Sequence, residues 1–154
     1  MSAILKFSLP IVPTAQARAR HRTINTKGGL LHMTYKSSKQ QENERTLEAC
    51  LLPYVPENPM TGALTLQFIA CLPVPKSVSK KRREEMLWGF EFPKKKPDLD
   101  NIAKQLKDAM TRLHFWGDDK QVVELHCKKI WAEYGAWRVC VMQAFPGSSG
   151  VWNC

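Results

Sequence analysis

The apolar positions of this chain fall into short runs with different periods. Ala3 to Leu9 alternates well enough for a first strand, which Pro10-Ile11-Val12-Pro13 would end in a turn. Thr23 to Tyr35 reads as two short strands around Lys27-Gly28-Gly29, a hairpin. From Ser37 or Ser38, each with a glutamine three residues on, the pattern is that of a capped helix running to about Leu52 and stopping before Pro53. Pro53 to Gly62 is loop. Ala63 to Leu72, dense in large and β-branched apolar residues, predicts a buried strand at the centre of a sheet. Ser77 to Leu87 predicts a short helix, released at Gly89 into Phe90 to Lys96 as loop or edge strand. The strongest helical signal spans Asn101 to Leu113. There Ile102, Leu106, Ala109, Met110 and Leu113 share one stripe, with Lys104, Lys107, Asp108 and Arg112 outside it. Gln121 to Glu133 and Trp137 to Ala144 predict two last strands, joined as a hairpin at Tyr134-Gly135-Ala136.

These elements add up to an α+β fold in a single domain, since 154 residues support one ordinary core and not two. An apolar fraction of 44% and a charged fraction of 24% exclude a disordered or fibrous chain. Residues 145–154, with Pro146, Gly147, Ser148, Ser149 and Gly150, are expected to form a flexible tail. The five cysteines, Cys50, Cys71, Cys127, Cys140 and Cys154, include no Cys-x-x-Cys pair. They suit neither a disulfide framework nor a zinc ribbon, and a reducing cytoplasm fits them best. Cys71, Cys127 and Cys140 lie in strand-like runs, where a free cysteine acts as a small buried hydrophobe. Pro10 and Pro13 interrupt any export signal, and no stretch approaches the roughly 18 apolar residues of a membrane span. A soluble cytoplasmic protein with no membrane partner is expected.

Charge narrows the range of partners. Lys and Arg number 23 against 14 Asp and Glu, a net +9, and the excess gathers in runs: Arg18, Arg20 and Arg22 around His21, Lys80 to Arg83, and Lys94 to Lys96. Such clustering points to a polyanion, although a solvated basic face that only maintains solubility has the same composition. Lys94, Lys95 and Lys96 stand immediately before an acidic motif, where they would hold a phosphate backbone against it. Arg18, Arg20 and Arg22, expected with His21 in a basic loop ahead of the hairpin, suit a second duplex arm and equally suit plain surface charge.

In Lys96-Pro97-Asp98-Leu99-Asp100-Asn101 the two aspartates are two apart, which in an extended chain puts both side chains on one face. Pro97 favours extension before it, and Asp100 or Asn101 can cap the helix that follows, so this is read as a strand-to-helix junction. Lys104 lies one turn beyond Asp100 on the same helix face. After the helix, Gly117-Asp118-Asp119 offers two more carboxylates on a returning chain. Three ionised carboxylates brought within about 4 Å would repel by roughly 4 kcal/mol per pair at an effective dielectric of 20. A divalent cation is the natural counterweight, and oxygen-only ligands select Mg²⁺ or Mn²⁺, the metals of phosphodiester hydrolysis. The same aspartates are also those of ordinary caps, Asx turns and solvated turns.

The combined motifs resemble the RusA family of Holliday junction resolvases, over much of the chain from Leu9-Pro10 to Trp131. They are Lys-Pro-Asp-Leu-Asp-Asn-Ile-x-Lys at Lys96 to Lys104, Asp108-Ala109, Trp116 to Val122, and a lysine at Lys128 or Lys129. The resemblance implies a mixed β-sheet packed by helices in a RusA-like endonuclease domain over residues 1–144. It implies Mg²⁺, with Mn²⁺ able to substitute, held by the catalytic aspartates Asp98, Asp100 and Asp119, with Lys104 as an essential helix lysine and Asn101 and Asp118 in support. It further implies a homodimer that resolves four-way branched DNA by paired symmetric nicks. Pro73 to Met86 is similar to a segment in the phage-borne branch of the family, so a prophage origin is expected. Family members often have Asn-Gly where this chain has Thr111-Arg112, and often a histidine near Phe92-Pro93. These departures bear on loop geometry and DNA sequence preference, not on the carboxylates.

Two other readings compete. Asp98 and Asp100 could be the nucleophile and acid/base pair of an aspartyl-phosphate phosphohydrolase, but an apolar strand should then precede them, and Lys94-Lys95-Lys96-Pro97 stands there instead. A non-catalytic branched-DNA-binding module would use the aspartates only as caps and turns. His114 and His126 lie at no recognised ligand spacing and are read as structural. Phe115 is read as packing; for Trp88 and Trp116, packing and base stacking both stay open.

Overall fold

A computed structural model describes residues 4–147 of the chain. The expected tail beyond Gly147, and Cys154 with it, lies outside the described residues. The elements run β1 (Ile4–Leu9), β2 (Arg20–Thr26), β3 (Gly29–Tyr35), α1 (Ser38–Leu51), a 3-10 turn (Leu52–Tyr54), β4 (Leu64–Pro73), α2 (Lys80–Leu87), α3 (Leu99–Arg112), a second 3-10 turn (Asp119–Gln121), β5 (Val122–Ala132) and β6 (Ala136–Gln143). The expected α+β single domain with a mixed sheet is what the chain forms.

Four strands make the main sheet in the order β1-β6-β4-β5, with β1 antiparallel to β6, β6 antiparallel to β4, and β4 parallel to β5. A neighbour on each side makes β4 an inner strand, and it is buried almost without alternation, Thr65 and Gln67 included. Leu64, Leu66, Phe68 and Ala70 of β4 project from one face, as every second residue of a strand does. They join Trp137, Val139 and Val141 of β6 and Phe7 and Leu9 of β1 against Leu47 and Leu51 of α1 and Ile102, Leu106, Ala109 and Met110 of α3 in one core. Removing a side chain of this size from water contributes about 1.5–3 kcal/mol.

The parallel pair explains why α3 lies where it does. Strands running the same way cannot be joined by a tight turn, so the chain leaves β4 at Pro73, passes through α2 and α3, and returns as β5. The apolar stripe of α3 lies on the sheet, and its opposite side is left for chemistry.

The expected β5–β6 hairpin does not form. The two strands are consecutive and oppositely directed, but β4 lies between them and each pairs with it. Gly135 therefore has a different role from that of a hairpin turn. A Cβ there would stand 2.6 Å from Val12 Cγ2 and 2.8 Å from Val12 Cα, so glycine is needed for the close approach of two backbones.

The expected hairpin forms as β2–β3 and makes a two-stranded sheet of its own, but it starts earlier than expected: Arg20, His21 and Arg22, read as loop, already pair in β2. Its register pairs Arg20 with Tyr35, Arg22 with Met33 and Ile24 with Leu31 on one face, and His21 with Thr34 and Thr23 with His32 on the other. Both polar pairs are hydrogen-bonded, at 3.1 and 3.0 Å.

Candidate active site

Ser37 caps α1 and Ser79 caps α2, each through its hydroxyl. At α3 the cap position falls on Asp98, not on Asp100 or Asn101, and the Asp98 side chain makes no capping hydrogen bond. Its backbone carbonyl accepts from Ile102 N–H at 3.0 Å, so the helix starts while the carboxylate is left over. This corrects the picture of two aspartates on one extended strand. Asp98 is extended, whereas Asp100 already belongs to the first helical turn, where a negative charge is favoured by the helix dipole.

Three adjoining hollows follow the outer side of α3. The first, about 850 Å³, is walled by Lys96, Pro97, Asp98, Asn101 and the loop from Pro13 to Arg18. The second, about 500 Å³, shares Asn101 and Arg18 with the first and adds His21, Gln40 and Lys104. The third, about 320 Å³, shares Lys104 with the second and is lined by Asp100, Ala103, Lys107, Asp108, Asp119 and Leu125. Asp100 and Asp119 thus meet at one cavity with Lys104 beside them, and Asp98 faces the first hollow, two walls away.

The loop that forms the inner wall is fixed by polar side chains. Gln40 accepts from Ala17 N–H at 2.9 Å and donates to Gln105 at 2.8 Å, Gln105 donates to Thr14 at 3.3 Å, and Gln16 N–H reaches the Asn101 carbonyl at 3.0 Å. Gln40 and Gln105 are both buried, so these bonds answer polar groups that would otherwise be stranded. On the other side, Lys129 Nζ donates to the carbonyls of Lys95 and Pro97 at 2.8 and 3.0 Å, holding the lysine loop that leads into Asp98.

Asp118 and Asp119 divide the labour of the returning turn. Asp118 accepts from Lys120 N–H at 2.9 Å in a capping box with Gln121. That backbone bond, outweighing some desolvation, holds its carboxyl below the usual range. Gln121 in turn donates to the carbonyls of Met60 and Gly62 at 3.0 and 3.1 Å, locking the turn to the body. Asp119 is free of that duty and faces Lys107 Nζ at 4.0 Å.

Lys107 and Asp108 are the cavity residues to which the sequence pattern assigned no role. The signal was present: Asp100, Lys104, Lys107 and Asp108 follow at helical intervals of three and four, the spacing of one face. The donors at this cavity are carboxylate oxygens, with neither thiolate nor imidazole in the wall, which is the chemistry a hard divalent ion takes. Among the described residues no three Asp, Glu, His or Cys side chains are already gathered as an ion cage.

The remaining expectations resolve simply. Phe115 and Trp116 are fully buried, with Trp116 Nε1 donating to Thr111 at 2.8 Å, so both pack the core. Cys71 and Cys140 are buried, and burial pushes the thiols of Cys71 and Cys127 up. Lys94, Lys95 and Lys96 are exposed, in a loop and not in an edge strand. No apolar strand precedes Asp98, which leaves the aspartyl-phosphate reading without its framework. Among the described residues no helix is long and apolar enough to cross a membrane.

A mixed sheet with an acidic and lysine-bearing crossover helix, entered through a basic loop, defines a protein built to bring carboxylates to a polyanion. The chain belongs to the RusA endodeoxyribonuclease family: the family model described as Endodeoxyribonuclease RusA matches residues 10–142. It is accordingly an endodeoxyribonuclease, and the resemblance in the motifs is borne out. The uncharacterized protein YqaN of Bacillus subtilis (strain 168) is 34% identical over 131 residues, covering 84% of this chain and 89% of that protein. A Lactococcus phage r1t protein named crossover junction endodeoxyribonuclease rusA is 39% identical over 54 residues, 35% of this chain and 37% of that protein.

Proposed function

We propose that the chain resolves four-way DNA junctions by paired symmetric nicks, acting as a homodimer with one acidic site per protomer. The observation that carries this reading is the placing of Asp100, Asp119 and Lys104 around one cavity within a chain of the RusA family. The name of the phage r1t relative supports the junction as substrate.

Asp100 and Asp119, with Asp98 from the first hollow at the start of the same helix, are the residues that would hold Mg²⁺ or Mn²⁺. Such an ion supplies Lewis-acid polarisation of the phosphodiester and activation of water. The rest is done by the chain itself. Lys104 stands beside Asp100 to neutralise a phosphate oxygen as negative charge builds there. Lys94, Lys95 and Lys96 hold the backbone leading into the site, and Arg18, which shares a hollow with Lys96 and Asp98, extends the cationic track toward Arg20 and Arg22 of β2. Asn101 links the first two hollows, and Asp118 fixes the turn that presents Asp119. Two coordinated cuts in a two-fold substrate call for two sites related by two-fold symmetry.

The test is cleavage of a labelled immobile four-way junction, with and without Mg²⁺, by wild type and Asp100→Asn, with binding followed by gel shift. Symmetric paired nicks are expected only from wild type with the ion. The variant should lose at least a hundredfold in rate, the scale of removing one electrostatic group from a transition state, and still bind. A wild type that binds but never cuts, with either ion and on several junction sequences, would refute the resolvase reading and leave a branched-DNA-binding module.

A further inference from the structure

Phe115 and Phe90 occupy the same place in two copies of one backbone motif. α3 ends with His114 N–H donating to the Thr111 carbonyl at 3.1 Å and Phe115 N–H to the Met110 carbonyl at 3.0 Å. α2 ends alike, with Gly89 N–H donating to Met86 at 3.2 Å and Phe90 N–H to Glu85 at 3.0 Å. Both are Schellman closures, in which the residue after the left-handed position ordinarily makes an apolar contact with the residue five places back. In α3 those two residues are Phe115 and Met110, and both are fully buried in the core. In α2 the residue five back is Glu85, and Phe90 is 82% exposed. Trp88, just before Gly89, is 79% exposed and Phe92 is 63% exposed.

This display is braced. Between Phe90 and Phe92, Glu91 accepts two hydrogen bonds from the Arg82 guanidinium at 2.7 and 3.1 Å. Pro93 is buried, and Lys129 holds the carbonyls of Lys95 and Pro97. Three large rings are therefore kept in water by a loop tied down around them.

The charge around the rings says what meets them. Lys80 and Lys81 open α2 with no acidic residue in its first turn, against the preference of the helix dipole, and Lys94 to Lys96 follow the rings. An apolar protein partner would have to desolvate those cations, whereas a nucleic acid offers phosphates to the lysines and base faces to the rings. Asp98 follows Phe92 by six positions, so at no more than about 3.6 Å per residue the backbone of Phe92 lies within roughly 22 Å of that of Asp98.

We propose that Trp88, Phe90 and Phe92 form a stacking platform for bases left unpaired at a DNA branch point. The inference rests on the reading of the chain as a branched-DNA endonuclease and adds to it the source of its structure selectivity. Lysines grip any duplex, but an intact duplex hides its base faces, whereas a branch opens them to the rings.

The test uses the full chain, as wild type, as Trp88→Ala/Phe90→Ala/Phe92→Ala, and as Phe90→Trp and Phe90→Leu, with thermal unfolding confirming that each is folded. Binding without divalent cation is measured against a four-way junction carrying 2-aminopurine at the branch and against linear duplex, over a range of salt. The triple variant should lose about tenfold or more in junction affinity and change duplex affinity less than twofold. The slope of log affinity on log salt should stay the same, because no phosphate contact is removed. Wild type should quench the 2-aminopurine and the triple variant should not. Phe90→Trp should keep junction affinity and Phe90→Leu should lose it, which separates stacking from plain apolar docking. The proposal is overturned by a triple variant that matches wild type on the junction, in which case the rings await a protein surface. It is equally overturned by Phe90→Leu binding as well as Phe90→Trp, or by a wild type with no preference for the junction. A wild type that binds through the rings but never cuts with Mg²⁺ or Mn²⁺ leaves the platform standing and removes only the nuclease mechanism.

Discussion

Glu44 lies on α1 where Lys36 Nζ donates to both its oxygens at 2.9 and 3.0 Å and Gln40 Nε2 donates at 2.9 Å. Burial alone pushes its carboxyl up. The hydrogen bonds from Gln40 and Lys36, with the charges of Lys36 and Arg112, outweigh burial and bring it below its ordinary 4.5. A folded value below the unfolded one means that the native state binds the proton less readily, so the stabilisation is present above about pH 4.5 and fades as pH falls through the lowered value. Glu44→Gln should therefore cost about 1 kcal/mol in urea unfolding at pH 7, with a smaller gap near pH 3; a gap independent of pH would sink this account. The same scale shows what the sequence could and could not display. Asp98, Asp100, Lys104 and Asp119 could be singled out as candidates because their types and spacings resemble a family motif. The grouping of Asp119 with Lys107 was not, since it depends on where a turn locked by Gln121 returns the chain in space. Gln40 and Gln105 carried no signal either, being far apart in sequence and polar in positions that only the fold makes interior.

α2 carries Lys80, Lys81, Arg82 and Arg83 where the helix dipole prefers acids. Lys80→Glu/Lys81→Glu should stabilise the protein by about 0.3–1 kcal/mol per changed residue. It should also weaken DNA binding and make its salt dependence shallower, as lost phosphate contacts require. Thermal unfolding and a salt titration of duplex binding check the two halves, and a variant that is more stable yet binds DNA as before would show that these lysines face only solvent. Among elements, the helices and the early strands were readable because each is announced by local chemistry: Ser37 at a cap, Gly89 at a helix end, the stripe of Ile102, Leu106 and Met110 in α3; α2 itself starts at Lys80 behind a Ser79 cap, later than the expected Ser77. The β5–β6 junction was misread because a short Gly-containing link between two alternating runs looks the same whether the strands pair or a third strand lies between them. What decided it was the interior character of β4, which needs a partner on each edge.

At the scale of the molecule the main sheet pairs its first strand with its last, with Ile4 opposite Met142 and Leu9 opposite Trp137. β6 also supplies one of the two neighbours of β4, so β1 and β4 are both incomplete until it arrives. Pairings this distant in sequence carry a large loop-closure cost before they give anything back, which slows folding. A chain stopped before Ala136 should show no cooperative thermal transition, whereas the full chain should show one; a cooperative transition in the shortened chain would mean that the helices and β4–β5 stand alone. In the cell, the consequence belongs to the ribosome. β1 emerges ahead of the other strands yet has nothing to pair with until nearly all of them have been made, so through most of its synthesis the nascent chain carries an open strand edge, the feature that favours aggregation.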